Sequence, residues 1–267
     1  MKKELNTKEN VRTITSNQFV TACGLEGISL KARKLLYIAI SQCQKSDAEF
    51  YEYSITIKEF AELMGVAPTN VYQEAKSIAM ELMRGYISFV PEGTKDFEMY
   101  SLFDFCKYKD GEGLLFRLNV DMTDFLLGLT GNFSQPLLHD FLKMRSPYSM
   151  AVWHLMQMKM KSKKPGVTAT MGFDISLAEL RKVTGCENKL KQVGEFKKRV
   201  LDKAIREIFE CAGVKITYQN IKVGRVVEGF RFFAEGIGHI DLNRIPLVEQ
   251  ERIKINAARL KNGENIL

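Results

Sequence analysis

The sequence predicts an α+β protein in which one unit, a helix–turn–helix followed by a β-hairpin, occurs twice in tandem. The first observation is an internal repeat: residues 53–65 (YSITIKEFAELMG) and 173–185 (FDISLAELRKVTG) match in residue or residue type at six positions. The second is that each block continues in the same order, into a polar turn, a longer helix and strands joined by a glycine-containing turn. This order describes a winged helix, so we expect two of them.

The first unit begins before its repeat block. Residues 13–19 (TITSNQF) are expected to enter a strand, and residues 30–42 (LKARKLLYIAISQ) to form a helix that Ser29 caps. We interpret the cations of its first turns as a solvated helix start; they are Lys31, Arg33 and Lys34.

The first block predicts a strand and a short helix that ends at Gly65, where a left-handed residue lets the chain turn. The elements that follow are a helix at 69–84 and strands at 86–90, 97–108 and 114–118. The long helix is close to neutral, with the charged residues Lys76, Arg84, Glu74 and Glu81. We therefore expect the first unit to serve packing or self-association.

Residues 121–146 join the two units, and Gly128, Gly131 and Pro136 interrupt the helical pattern there. A helix is predicted at 148–160, with the only tryptophan and a stripe of methionines that we interpret as core. We expect a first domain at 11–140, a second at 141–235 and a tail at 236–267.

The second unit contains a long basic helix. At 100° per residue its apolar residues share one side: Phe196, Val200, Leu201, Ala204, Ile205 and Ile208. Lys198, Arg199 and Arg206 lie on the opposite side, and Lys197 lies in the first turn, from which it can project. Residues 189–206 hold seven Lys or Arg and two acids. A solvated amphipathic helix is the simpler interpretation. However, cations at a helix start oppose the helix dipole, and their presence there favours a recognition helix.

Charge is distributed unevenly along the chain. Residues 1–140 hold 15 Lys and Arg and 19 Asp and Glu, a net charge of −4, whereas residues 141–233 hold 19 and 8, a net charge of +11. Such a segment is typical of a protein that binds a polyanion. In a winged helix, the start of the second helix reaches base edges of duplex DNA and the hairpin turn lies beside it. The predicted contacts are Lys189, Lys191, Lys197, Lys198, Arg199 and Arg206 on the helix side, and Lys222 and Arg225 on the hairpin.

Other classes of function lack their residues. No run of about 18 apolar residues predicts a membrane helix, and the polar N-terminus has no signal-peptide core. The five cysteines are scattered without a CxxC, which indicates reduced thiols in a cytoplasmic protein. The three histidines form no HxH or HExxH, and no Walker A loop, GxSxG or GxGxxG occurs. We expect no catalysis, metal or cofactor.

Stretches along the chain have the order and spacing of one family: ITSNQF, SLKARKLLYIAISQ, LLFRLNVDMTDFLLGLTGNFSQ, RSPYSMAVWHLM, LAELRKVTG, EFKKRVLDKAIREI, VKITY and KVGRVVEGFRF. Over residues 11–235 the chain resembles the iteron-binding plasmid replication initiators, the Rep superfamily that includes the F plasmid initiator. The stretches of the second unit are the most specific.

The resemblance implies a protein that binds iterons, the repeated sites of its plasmid origin, and helps to open the duplex. It also implies recruitment of the host initiator, helicase or polymerase, and repression of the protein's own promoter. A homodimer would form through the first domain, which would add contacts to the DNA backbone. The family's base-reading residues correspond here to Gln192, Lys197, Lys198 and Arg199.

The sequence leaves three alternative functions to be weighed against a replication initiator. A plain winged-helix transcriptional repressor would need neither a second winged helix nor contacts to host replication proteins. A nicking or priming enzyme would need metal ligands that the sequence lacks. A protein-interaction module is disfavoured by the charge of +11 on the second unit.

Overall fold

The computed structural model describes residues 2–3, 5–6, 11–44, 46–90, 94–110, 112–160 and 171–235, and the predicted tail lies outside them. The helices are α1 (Asn17–Thr21), α2 (Leu30–Ser41), α3 (Ile57–Met64), α4 (Pro68–Arg84), α5 (Thr123–Leu126), α6 (Leu138–Lys143), α7 (Pro147–Met160), α8 (Leu177–Val183), α9 (Val193–Phe196) and α10 (Asp202–Ala212). The strands are β1 (Lys2–Lys3), β2 (Thr15–Ser16), β3 (Glu52–Ile55), β4 (Tyr86–Phe89), β5 (Glu98–Ser101), β6 (Phe103–Lys109), β7 (Gly113–Leu118), β8 (Phe133–Ser134), β9 (Met171–Ser176), β10 (Lys215–Val223) and β11 (Val226–Glu235). They form two winged helices, as the sequence predicts.

In the first winged helix, α2 packs against α4 and against a sheet of order β1-β3-β7-β6. A capping box starts α3: Thr56 Oγ1 accepts from the N–H of Glu59, and the Glu59 carboxylate accepts from the N–H of Thr56. The helix ends at Gly65, whose φ of 65° is the predicted left-handed conformation. Helices α3 and α4 form the helix–turn–helix, and the β6–β7 hairpin is the wing.

Two predicted strands differ from the structure. Within 13–19 only β2 is extended, and α1 begins directly after it because Ser16 Oγ accepts from the N–H of Phe19 at 3.2 Å and caps a helix. The strand predicted at 97–108 is divided into β5, which pairs with β4, and β6, which pairs with β7. The residue between them, Leu102, is fully buried, so the chain changes sheet at a core position.

In the second winged helix, β9 joins the β10–β11 hairpin in a sheet of order β10-β11-β9, and α8 begins the helix–turn–helix. Its second helix consists of α9, a π-helical turn (Lys197–Leu201) and α10, which we call together the basic helix. The hairpin is long, because its strands pair at nine positions. Gly224 opens its two-residue turn with φ of 60°, the sign that such a turn requires there.

The π-helical turn matches the spacing of the core residues of the basic helix. The N–H of Asp202 bonds to the carbonyl of Lys197, five residues earlier. Fully buried residues recur at every fourth position: Phe196, Val200, Ala204 and Ile208. In a regular α-helix, residues four positions apart differ in direction by about 40°, so such a series drifts around the helix. The wider π-helical turn reduces this drift, and the predicted apolar side faces the core.

Helix α7 packs against α1 on one side and against α8 and α10 on the other, so it joins the two winged helices. It is buried along most of its length, and Met150, Trp153 and Met156 are core residues. The prediction that the methionine stripe is core is confirmed for Met150 and Met156, whereas Met158 and Met160 are partly buried against the core.

The cations at the start of α2 are not a solvated helix start, and that prediction is wrong for two of the three. Lys31 stays partly exposed, but Arg33 and Lys34 are buried. Arg33 donates to the carbonyl of Pro147 at 3.1 Å, and Lys34 donates to the carbonyl of Leu142 at 2.6 Å. Burial lowers the pKa of both side chains. These bonds tie α2 to α6 and to the first residue of α7.

A buried histidine in α7 makes the stability of this packing depend on pH. Thr15 Oγ1 lies 2.9 Å from His154 Nε2, and the hydroxyl of Tyr37 lies 2.9 Å from Nδ1. Burial lowers the pKa of His154 to about 3. Between this pKa and the ordinary value near 6.5, the unfolded chain binds a proton that the folded protein does not bind. The histidine therefore makes the folded protein less stable as the pH falls from 6.5 towards 3.

We expect the free energy of unfolding to decrease by about 2 kcal/mol between pH 7 and pH 5, because one pKa unit corresponds to about 1.4 kcal/mol. Urea unfolding at a series of pH values measures this decrease. His154→Gln should flatten the pH dependence in this window, whereas the control His139→Gln should keep it. The same slope in His154→Gln as in the wild type would assign the effect to another group.

Candidate nucleic-acid interface

The turn between α8 and the basic helix is held by Arg181, a residue that the sequence analysis did not single out. Its guanidinium donates at 2.9–3.0 Å to four backbone carbonyls, those of Cys186, Lys189, Leu190 and Lys191. The guanidinium also lies 4.9 Å from the ring centroid of Phe196. Leu190 has φ of 50°, a left-handed conformation that is unfavourable for residues other than glycine. Arg181 therefore stabilises a strained turn beside the start of the basic helix.

The predicted contact residues lie at the surface of the second winged helix. Eight of the nine are exposed: Lys189, Lys191, Gln192, Lys198, Arg199, Arg206, Lys222 and Arg225. Three belong to the turn held by Arg181, three lie on the side of the basic helix that faces away from the core, and two lie at the hairpin tip. The ninth, Lys197, is half-buried.

Lys197 is directed towards the hairpin. Its ammonium lies 3.3 Å from Asn220 Oδ1 and 5.3 Å from the ring centroid of Tyr218, both in β10. The Tyr218 hydroxyl donates to Asp202 at 2.6 Å, and burial raises the pKa of Tyr218. These contacts tie the basic helix to the hairpin. They also add Tyr218 and Asn220 to the candidate interface, which the sequence could not indicate because the pairing depends on how the hairpin folds back.

Three predicted contacts lie on the exposed side of the basic helix, and one of them, Arg199, is in an ion pair. Arg199 Nε lies 2.8 Å from Glu195 Oε2. Within the part of the chain that the structure describes, Lys198 and Arg206 form no ion pair. Cations on a helix and on a hairpin tip can contact phosphates, and the side chains near the helix start can also reach base edges.

The acids of α4 in the first winged helix are used within the molecule. Glu74 pairs with Lys31 at 2.6 Å, and Glu81 accepts from the N–H of Ser29 at 2.7 Å. In the described ranges, no group of His, Cys, Asp or Glu side chains comes together in a way that could hold a metal ion. No described helix is both long and apolar enough to span a membrane.

The fold and the exposed basic helix define the class of tandem winged-helix proteins with a candidate DNA-binding surface. Residues 12–157 match the family model of the initiator replication protein, first winged helix, and residues 176–233 match that of the initiator Rep protein, second winged helix. The chain belongs to this family of replication initiators.

A solved structure shares this fold. The crystal structure of the Pi initiator protein in complex with iteron DNA has a TM-score of 0.71 at 20% sequence identity, covering 85% of this chain and 98% of that chain. A structure of domains 2 and 3 of RctB, from selenomethionine derivatives, has a TM-score of 0.42 at 8% identity, covering 78% and 81%. The second likeness is too low to bear on the fold, whereas the first agrees with two winged helices in tandem.

Proposed function

We propose that this initiator binds iterons in a plasmid origin through its second winged helix and helps to open the duplex there. The observation that carries the proposal is the basic helix, where Lys198 and Arg199 are exposed on the side away from the core. The Pi initiator protein, which has the same fold, forms a complex with iteron DNA. A plain transcriptional repressor is not favoured, because both winged helices match initiator families.

In this proposal the two parts of the surface have different tasks. Gln192, Lys198 and Arg199 reach base edges in the major groove from the start of the basic helix. Lys222 and Arg225 contact phosphates or the minor groove from the hairpin tip. Lys197 stays among the base-reading residues that the resemblance implies. The remaining predicted residues contact the phosphate backbone; they are Lys189, Lys191 and Arg206.

The test compares two duplexes in gel shifts at several salt concentrations. One contains direct repeats of about two helical turns from the DNA beside the coding region, and the other has the same base composition in scrambled order. We expect the repeats to be preferred by a factor of about a thousand or more. Equal affinity for both duplexes at physiological salt would reject the proposal.

We also propose that the first domain forms a homodimer through the exposed face of the β4–β5 hairpin. Ser88 pairs with Met99, and residues two apart on a strand share a face, so Tyr86 and Met99 lie on the same side. This face and its continuation carry large apolar side chains that are 39–70% exposed: Tyr86, Val90, Phe97 and Met99. An exposed apolar patch of this kind marks a contact surface on soluble proteins.

Phe97→Glu is expected to weaken the homodimer by about tenfold or more, because it places a charge where an apolar side chain would be buried. Sedimentation equilibrium measures the dissociation constant. Phe209→Glu is the control, since Phe209 is also an exposed phenylalanine but lies on α10 of the second winged helix. A dimer that persists in Phe97→Glu would place the interface on another surface.

The remaining parts of the proposal follow from the family. The first domain, at 11–140, adds contacts to the DNA backbone, and the second, at 141–235, gives sequence specificity. Residue 140, the proposed boundary, lies within α6. The protein recruits the host initiator, helicase or polymerase components, represses its own promoter, acts in the cytoplasm and catalyses no reaction itself.

A further inference from the structure

Glu195 lies one turn before Arg199 on the basic helix, and their side chains meet at the surface. Arg199 Nε lies 2.8 Å from Glu195 Oε2 in an ion pair, and the two side chains are 66% and 43% exposed. Among the described residues, this is the one ion pair that involves a predicted DNA contact. The acid therefore acts on a single member of the candidate interface.

The position of the carboxylate decides which edge of the guanidinium remains available. A guanidinium can donate two parallel hydrogen bonds from its side, through Nε and one Nη, or from its end, through both Nη atoms. The Glu195 carboxylate lies beside Nε, so the end edge of the Arg199 guanidinium stays open to another partner. Guanine O6 and N7 accept two parallel bonds of this kind in the major groove.

Two simpler roles of Glu195 must be separated from an effect on Arg199. An exposed ion pair contributes little to stability. An acid in the first turn also stabilises a helix through the helix dipole. Neither of these two roles affects the choice between one DNA sequence and another. A change in sequence selectivity therefore distinguishes an effect on Arg199 from both of them.

We propose that Glu195 is a positioning residue for base recognition, which holds Arg199 with its end edge towards a guanine and keeps it from bonding to phosphates. This inference rests on the proposed function. A carboxylate beside DNA repels phosphates, so Glu195 lowers the affinity for every sequence. It lowers the affinity for unrelated sequences more than the affinity for the preferred sequence, and the difference between these two effects is a gain in selectivity.

The experiment uses the full chain and two duplexes. The first is the duplex that the wild type recovers from a pool with random inserts of about 20 bp, two helical turns, and the second is its scrambled form. The variant is Glu195→Ala, because alanine keeps the helix propensity and removes the contact. Glu187→Ala is the matched control, since Glu187 is an exposed acid in the turn before the same helix and forms no ion pair with a described residue. Circular dichroism and urea unfolding check that both variants fold.

We expect Glu195→Ala to bind the scrambled duplex more tightly than the wild type and to lose about tenfold in the ratio of the two affinities. Glu187→Ala should raise both affinities alike and leave the ratio unchanged. Single guanines can also be replaced by 7-deazaguanine, which lacks N7. We expect one such replacement to weaken the binding of the wild type and to weaken the binding of Glu195→Ala much less. In an Arg199→Ala background, Glu195→Ala should not change the ratio further.

The outcomes separate this inference from the proposed function. A selective wild type with an unchanged ratio in Glu195→Ala overturns the positioning role alone. A fall in the ratio of the same size in the Arg199→Ala background also overturns it, because the acid would then act on another residue. If the wild type recovers no preferred duplex, the proposed function fails and the inference fails with it.

Discussion

Replacing Lys198 and Arg199 together with alanine is expected to remove selective DNA binding and to leave the fold intact. Both side chains are exposed, and neither contributes to the core of the basic helix. A side-chain contact to a base edge contributes about 1–3 kcal/mol of discrimination, so the double change should cost between about 30-fold and about 10⁴-fold in affinity for the preferred duplex. Gel-shift titration measures the affinity, and circular dichroism checks the fold.

The control for this prediction removes the same charge from the hairpin tip. Lys222→Ala combined with Arg225→Ala should weaken the binding of preferred and scrambled duplexes alike. It should also reduce the salt slope by about one for each phosphate that the two side chains neutralise in the wild type. Unchanged affinity of the Lys198/Arg199 variant for the preferred duplex would place base reading elsewhere. A weakening confined to the preferred duplex in the control variant would show that the hairpin also reads bases.

Arg181→Ala is expected to destabilise the turn before the basic helix and to weaken DNA binding strongly. The change removes the donor to four carbonyls and leaves the left-handed Leu190 without support. A hydrogen bond from a charged donor contributes about 1.5–3 kcal/mol when buried, and this turn is partly exposed, so we expect a total loss on the order of 3 kcal/mol. Lysine carries one donor group at a single point and cannot span these acceptors, so Arg181→Lys should lose most of the same energy.

Urea unfolding and gel shifts together measure the effect of Arg181→Ala. The matched control is Lys182→Ala, which removes a neighbouring partly exposed cation of α8. If the two variants unfold at the same urea concentration and bind the preferred duplex equally, the turn holds its shape without Arg181.

Local signals in the sequence are sufficient for the helices of both helix–turn–helix units and their order. The left-handed residue at Gly65 is predicted because a helix is followed by a glycine and a polar turn, and its φ is positive. The spacing predicts the apolar side of the basic helix, and five of its six residues are buried while Ile205 is partly buried. Such signals involve residues a few positions apart, which is the range that helix and turn geometry determines.

The features that the sequence did not indicate depend on partners far along the chain or on the backbone. Cations at a helix start are commonly exposed, so Arg33 and Lys34 are expected in solvent, but their acceptors at Pro147 and Leu142 are more than 100 residues away. Arg181 bonds to carbonyls, and every residue has a carbonyl, so no residue type marks that contact. The packing of Lys197 on β10 likewise needs the folded hairpin.

The π-helical turn of the basic helix affects how this protein can be compared with its relatives. A π turn contains one residue more than the α-helical turn it replaces, so an uninterrupted alignment to a regular helix is out of step by one residue on one side of Lys197–Leu201. One residue corresponds to about 100° around a helix, enough to exchange a buried position for an exposed one. Contacts inferred from a protein whose corresponding helix is regular must therefore be transferred separately before and after this turn. A graft of residues 193–201 onto a regular helical scaffold would preserve their identities and change their directions.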